Sequence, residues 1–151
     1  MKKYELTEDF ITVFGVKLYR IKALVTFGNV EVGELGGYIE KEANLSHEGD
    51  AWVSGNAQIC GNAQVCGNAH VWGNAHVCDN AHVCDNAHVC DNTRVSGNTE
   101  VCDNAQVRGN ACIFISTGQV SGISNGRESR EIKIACIIVP STNVFVIKFI
   151  T

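Results

Sequence analysis

From Gly49 the chain repeats a six-residue unit eleven times without an insertion or deletion: GDAWVS, GNAQIC, GNAQVC, GNAHVW, GNAHVC, DNAHVC, DNAHVC, DNTRVS, GNTEVC, DNAQVR, GNACIF. Position one is Gly or Asp, and position two is Asn in all but the opening hexad. Position three is Ala or Thr, and position five is Val or Ile. Positions three and five alternate with four and six, so a short strand of four residues places small and branched apolar groups on one side. The Gly/Asp-Asn pair is turn chemistry, because Gly and Asn tolerate left-handed backbone that β-branched residues resist. Strand and corner then alternate with no room for a crossover helix. That pattern predicts a parallel β-solenoid, in which stacking supplies both the hydrogen bonds and the core that one short strand lacks.

An aliphatic residue followed four positions later by a small one, as in Val77 to Ala81, Val83 to Ala87 and Val89 to Thr93, resembles the hexapeptide repeat of the bacterial transferase hexapeptide superfamily. The match spans residues 49–114. The resemblance implies an all-β, left-handed parallel β-helix: a triangular prism with three hexads per coil and nearly four coils. The preceding segment, LYRIKALVTFGNVEVGELGGYIEKEANLS, resembles the leader of uncharacterised hexapeptide proteins common in phage and prophage genomes. Physically, Ile11 to Phe14 and Lys17 to Phe27 are strand-like, GELGGY reads as a bend, and ANLSHEGDAWV enters the repeat two residues out of phase. Residues 1–42 are expected to form an N-terminal β cap and residues 43–114 the β-helix. Residues 115–151 are expected to form a loop and a β-hairpin, with EIKIACIIV and NVFVIKFI as its strands. That hairpin would cover the other end, pack along a face or mediate self-association.

A net charge of -4 gives no footprint for nucleic acid or an anionic membrane. The N-terminus MKKYELTEDF has no apolar signal-peptide core, and no stretch reaches the roughly 18 apolar residues of a membrane span. The expected location is cytoplasmic, in bacterial host cytosol if the chain is phage-encoded. In that compartment the eight cysteines are expected as reduced thiols. Six of them occupy position six of the repeat.

If residues on one face recur at three-hexad intervals, His76, His82 and His88 in HVCDNAHVCDNAHVC stand on three different faces and cannot meet within one chain. The first face carries Trp52, His70, His88 and Gln106 beside Ser54, Trp72, Cys90 and Arg108. The second carries Gln58, His76, Arg94 and Cys112 beside Cys60, Cys78 and Ser96. The third carries Gln64, His82 and Glu100 beside Cys66, Cys84 and Cys102. Two outward tryptophans are unusual on a solvated face, because Trp is enriched at interaction surfaces. Trp52, His70, Trp72, His88, Cys90 and Arg108 therefore form the expected binding surface. Cys66, His82, Cys84 and Cys102 form a zinc candidate by ligand type, although a column on a flat sheet does not converge tetrahedrally. No other cofactor is expected. The corner residues Asp79, Asp85, Asp91 and Asp103 are read as turn formers, with only Asp85 and Asp103 stacked.

The superfamily resemblance also implies two enzyme types. The acyltransferases use a histidine base in a groove between trimer subunits, commonly shaped by a loop extruded from a coil. No loop interrupts these hexads. A zinc carbonic anhydrase branch needs three histidines across a subunit boundary, which His76 and His82 would meet only in a trimer. Histidine also alternates with Gln, Arg and Glu at the same repeat position, and a catalytic base needs a fixed partner and a pocket. The expectation is a non-enzymatic scaffold, a homotrimer with a protein partner. An interface enzyme and a small-ligand sponge are the alternatives.

Overall fold

The computed structural model describes residues 1–118 and 132–138. The chain is an all-β parallel solenoid of about four coils, and among the described residues its only helical turn is a short 3-10 turn at Glu42–Asn44. In-register parallel pairs build three faces. The first stacks Trp52, His70, His88 and Gln106. The second stacks Gln58, His76, Arg94 and Cys112, and the third Gln64, His82 and Glu100.

In most hexads the ladder strand is shorter than the four residues expected, covering only positions four and five, as in Gln58–Ile59 and His76–Val77, whereas Arg94–Gly97 runs to four. The reason lies at the corners. The position-three N–H turns back onto the position-six carbonyl three residues earlier, for example Ala63 to Cys60 at 3.3 Å. Between coils, the N–H groups of positions two, four and six donate to carbonyls one, three and five of the following coil. Asn56 to Gly73, Gln58 to Ala75 and Cys60 to Val77 do so at 2.9–3.0 Å. Positions three and five fill the tube with alanine and valine or isoleucine that are fully buried through the central coils.

Position one is left-handed in all eleven hexads, with φ between 56° and 75° at seven glycines and four aspartates. The asparagine beside it shares the turn, as expected of the pair, but not the positive φ, which position one alone carries. Asparagine also does something else. Its carboxamides form three ladders along the three edges, Asn56–Asn74–Asn92–Asn110, Asn62–Asn80–Asn98 and Asn68–Asn86–Asn104, with N···O distances of 3.1–3.5 Å. The aspartates hold their left-handed corners with a second bond. Asp79, Asp85 and Asp91 each accept the N–H of the corner residue one coil on, at 2.9, 3.2 and 2.8 Å.

The leader forms three strands, β1 (Tyr4–Val13), β2 (Val16–Ala23) and β3 (Leu35–Ile39). β1 starts earlier and β2 ends earlier than the sequence suggests, with a tight turn at Phe14 and Gly15, both at positive φ. GELGGY opens in a turn, with Gly33 at φ 87°, but its last four residues belong to β3, antiparallel to β2 and parallel to Gln58–Ile59. Gly36 and Gly37 are there for close approach: a Cβ on Gly36 would lie 2.6 Å from the Val53 carbonyl oxygen, and one on Gly37 2.7 Å from that of Ala57. Leu45 bridges Val65 while Trp52 pairs with His70, so the first coil holds two more residues than later ones, as the phase offset predicts.

At the other end the last repeat strand lengthens to Cys112–Gly118 and pairs antiparallel with Ile132–Ile138. One partner of Ile132–Ile138 is therefore the last repeat strand, while the expected pairing with NVFVIKFI and the Asn125-Gly126 loop lie outside the described residues. The second face thus continues into antiparallel strands at both ends, giving one sheet of eight strands.

Candidate functional site

On the first face, the repeat places His70 and His88 one coil apart, and their rings stack at 5.7 Å with 13° between planes. Trp72, at position six, meets the His88 ring edge-on at 5.2 Å. All three are half-buried. Burial, then the neighbouring His88, pulls the His70 pKa below its ordinary value. Cys90 is half-buried beside this strip, with its thiol pushed up by burial and then by Asp91, and Arg108 is exposed on the coil below.

Trp52 does not belong to this surface. It points away from the tube as the repeat requires, but it is only 2% exposed. Phe27 and Tyr4 pack edge-on against it at 5.4 and 6.4 Å. The sequence places its strand correctly and cannot show that the leader folds back over it.

On the third face, Cys84 Sγ, Cys102 Sγ and an Asp85 carboxylate oxygen lie within 4.8 Å of one another. His82 and Cys66 of the expected zinc set are outside this group. His82 sits at position four, displaced along the strand from the thiols, whereas Asp85 occupies the corner directly after Cys84. Cys66 is two coils from Cys102, roughly 9.6 Å at the spacing of stacked strands. The Cys84 thiol is pushed up to about 12 by burial, then by Asp85, with Cys66, Cys102 and Glu100 adding to it. Burial and neighbouring carboxylates also raise Cys66 and Cys102.

The second face carries another thiol pair. Cys78 donates its S–H to Cys60, which lowers the Cys60 pKa and raises that of Cys78. His76 shares this face with Gln58 and Arg94, so His76, His82 and His88 do stand on three separate faces.

Two features have little signature in the sequence. The β1–β2 hairpin exposes Phe10, Phe14 and Val16, with Phe14 95% exposed at its tip. TVFGV was the available signal, a turn of bulky residues with no polar face. At the N-terminal end a cavity of about 220 Å³ is lined by Met1, Lys3, Phe27, His47, Glu48 and others. Lys3 is buried there: its Nζ donates to the carbonyls of Gly49 at 3.2 Å and Ala51 at 2.9 Å, 4.6 Å from the Phe27 ring centroid. Burial lowers its pKa to about 8, against the opposing pull of Asp50 and Glu48. His47 stacks on Tyr4 at 4.3 Å.

No protein-family model matches this chain, and a comparison with curated proteins yields no match. Among the described residues no helix is long and apolar enough to cross a membrane.

Proposed function

We propose that this protein is a non-enzymatic interaction module of the hexapeptide-repeat type, a homotrimer that presents rigid solenoid faces to a protein partner. The observation that carries the reading is the strip of Trp72, His88 and His70. An indole and two imidazoles are locked in ring contact on a flat sheet while staying half-exposed. Rings fixed in this way lose little side-chain entropy on docking, which is what makes aromatic anchors effective at interfaces. The exposed Phe10, Phe14 and Val16 of the hairpin add a second apolar contact. The leader's similarity to phage and prophage hexapeptide proteins points to a host component as the partner, in bacterial cytosol.

Light scattering on reduced protein tests the reading. The mass is expected at three times 16.3 kDa, and Trp72→Ala or His88→Ala should shift it toward the single chain. Trp52→Ala should act differently, lowering the melting temperature because its ring is buried beneath the cap. A Trp72→Ala variant with unchanged mass would remove the first face from the interface.

A further inference from the structure

The third-face edge differs from the other two in charge as well as in sulfur. Cys84 and Cys102 stack at position six of successive coils, tied by the Cys84 N–H to the Val101 carbonyl at 2.9 Å. Asp85 is fixed beside them, since its Oδ2 accepts the Asp103 N–H at 3.2 Å. Asp103 stacks on Asp85, its Oδ2 3.9 Å from Cys102 Sγ, and Glu100 stands on the same face. Among the described residues the ion pair found is Lys2 with Glu42, at the other end of the molecule. No ion pair among them neutralises this run of carboxylates.

The other cysteines lack this combination. Cys60 is followed by Gly61, and Asp79, next to Cys78, is held by the Gly97 N–H much as Asp85 is by that of Asp103, yet no cluster of two thiols and a carboxylate forms there. Cys90 has Trp72 and Arg108 as its position-six neighbours. On the Cys84 edge alone do two thiols and a carboxylate oxygen come within 4.8 Å of one another among the described residues.

We propose that Cys84, Cys102 and the Asp85 carboxylate form a surface site for a thiophilic divalent cation of the zinc class, with the outward position left to water. The dimensions suit it. Zinc–sulfur bonds of about 2.3 Å put two bound sulfurs about 3.8 Å apart at a tetrahedral angle and no more than about 4.6 Å apart when opened out. Small side-chain rotations reach that range from the present separation. Two sulfurs select against magnesium and calcium. Charge favours a divalent over a monovalent ion, because two thiolates and a carboxylate carry three negative charges beside Asp103 and Glu100. Binding forms two metal–sulfur bonds and one metal–oxygen bond, and each thiol releases its proton to solvent. The side chains approach from the protein side only, and all three residues are at least partly exposed, so the site is open, unlike a closed structural zinc centre. The inference does not depend on the interaction reading.

Cobalt(II) titration of the reduced full-length chain is the test, read by its thiolate-to-cobalt absorption and reversed by zinc(II). One cobalt per chain is expected. Cys84→Ser and Cys102→Ser should each abolish the band while the circular dichroism stays unchanged, since serine already occupies position six at Ser54 and Ser96. Asp85→Asn should weaken binding without abolishing the band, and Cys60→Ser should leave it unaltered. A folded, reduced protein with no thiolate–cobalt band would overturn the proposal. So would a band that survives in the Cys84→Ser/Cys102→Ser double variant or falls equally with loss of any cysteine.

Discussion

Between coils, the carbonyls at positions one and three of every face are met by main-chain N–H groups repeated at a separation of 17 residues, as with Asn56 to Gly73 and Gln58 to Ala75. At the N-terminal end there is no earlier coil, and each face uses a different device. The second face is continued by β3, whose Tyr38 and Glu40 N–H groups donate to Ala57 and Ile59. On the third face the buried Asn44 carboxamide donates to Gly61 at 3.1 Å and Ala63 at 2.8 Å, while its oxygen accepts the Lys41 N–H. On the first face the Lys3 ammonium takes Gly49 and Ala51. One repeated solution holds the body, and three single solutions hold the end. The body should therefore tolerate loss of any one outward contact, whereas the cap should not.

The largest effect is expected where the body has no redundancy, in its interior. Val83→Asp places a charge in a tube with no partner and should cost more than ~4 kcal/mol, abolishing the cooperative transition in urea. In the cap, Gly36→Ala would drive a Cβ to 2.5 Å from Ile21 Cγ1 and 2.6 Å from the Val53 carbonyl oxygen. Prying β3 off the first coil should cost about 1–3 kcal/mol in the same assay. Asn44→Ala strands two buried carbonyls and should cost a similar ~1–3 kcal/mol. In contrast, Asn74→Ala removes two exposed ladder bonds, to Asn56 and Asn92, and should cost no more than about 1 kcal/mol. If Asn74→Ala proved as damaging as Asn44→Ala, the distinction between body and cap would fail.

Lys3 gives the comparison a pH axis. Its folded pKa is about 8 against an ordinary 10.5, so between those values the unfolded chain binds more protons than the folded one. Stability contributed through Lys3 therefore rises with pH across that window. The raised thiols and the raised Tyr4 hydroxyl act in the opposite sense at alkaline pH, so the lysine must be isolated by difference. The unfolding free energy of wild type minus Lys3→Met should increase from pH 8 to 10.5 and be flat below pH 7. A flat difference throughout would mean the ammonium is not held in the buried position.

The solenoid was legible because its period states the fold directly: Ala and Val recur in phase, and register, face membership and the scattering of His76, His82 and His88 all follow. The recurring asparagine was legible as part of the turn, which it is, but its carboxamide ladders were not, because they depend on one corner standing directly over the next. The cap was the least legible part. Nothing in KKYELTEDF signals that Lys3 and Tyr4 return over forty residues to seat on Gly49, Ala51 and Leu45, because such contacts are single and non-local. The same blind spot produced the misplaced Trp52. For the third face, composition identified Cys84 and Cys102, but only the corner geometry brings in Asp85 and leaves out His82.

The side-chain caps also bear on how long such an object can become. A stack of parallel strands ends in rows of open carbonyls, a surface on which a second copy could in principle continue the stack. Here Lys3 and Asn44 terminate two of those rows with side-chain donors, and β2 and β1 turn the third row antiparallel, away from the parallel register. A filament growing from this end would have to displace all three. The molecule carries its own length limit in residues that belong to no repeat.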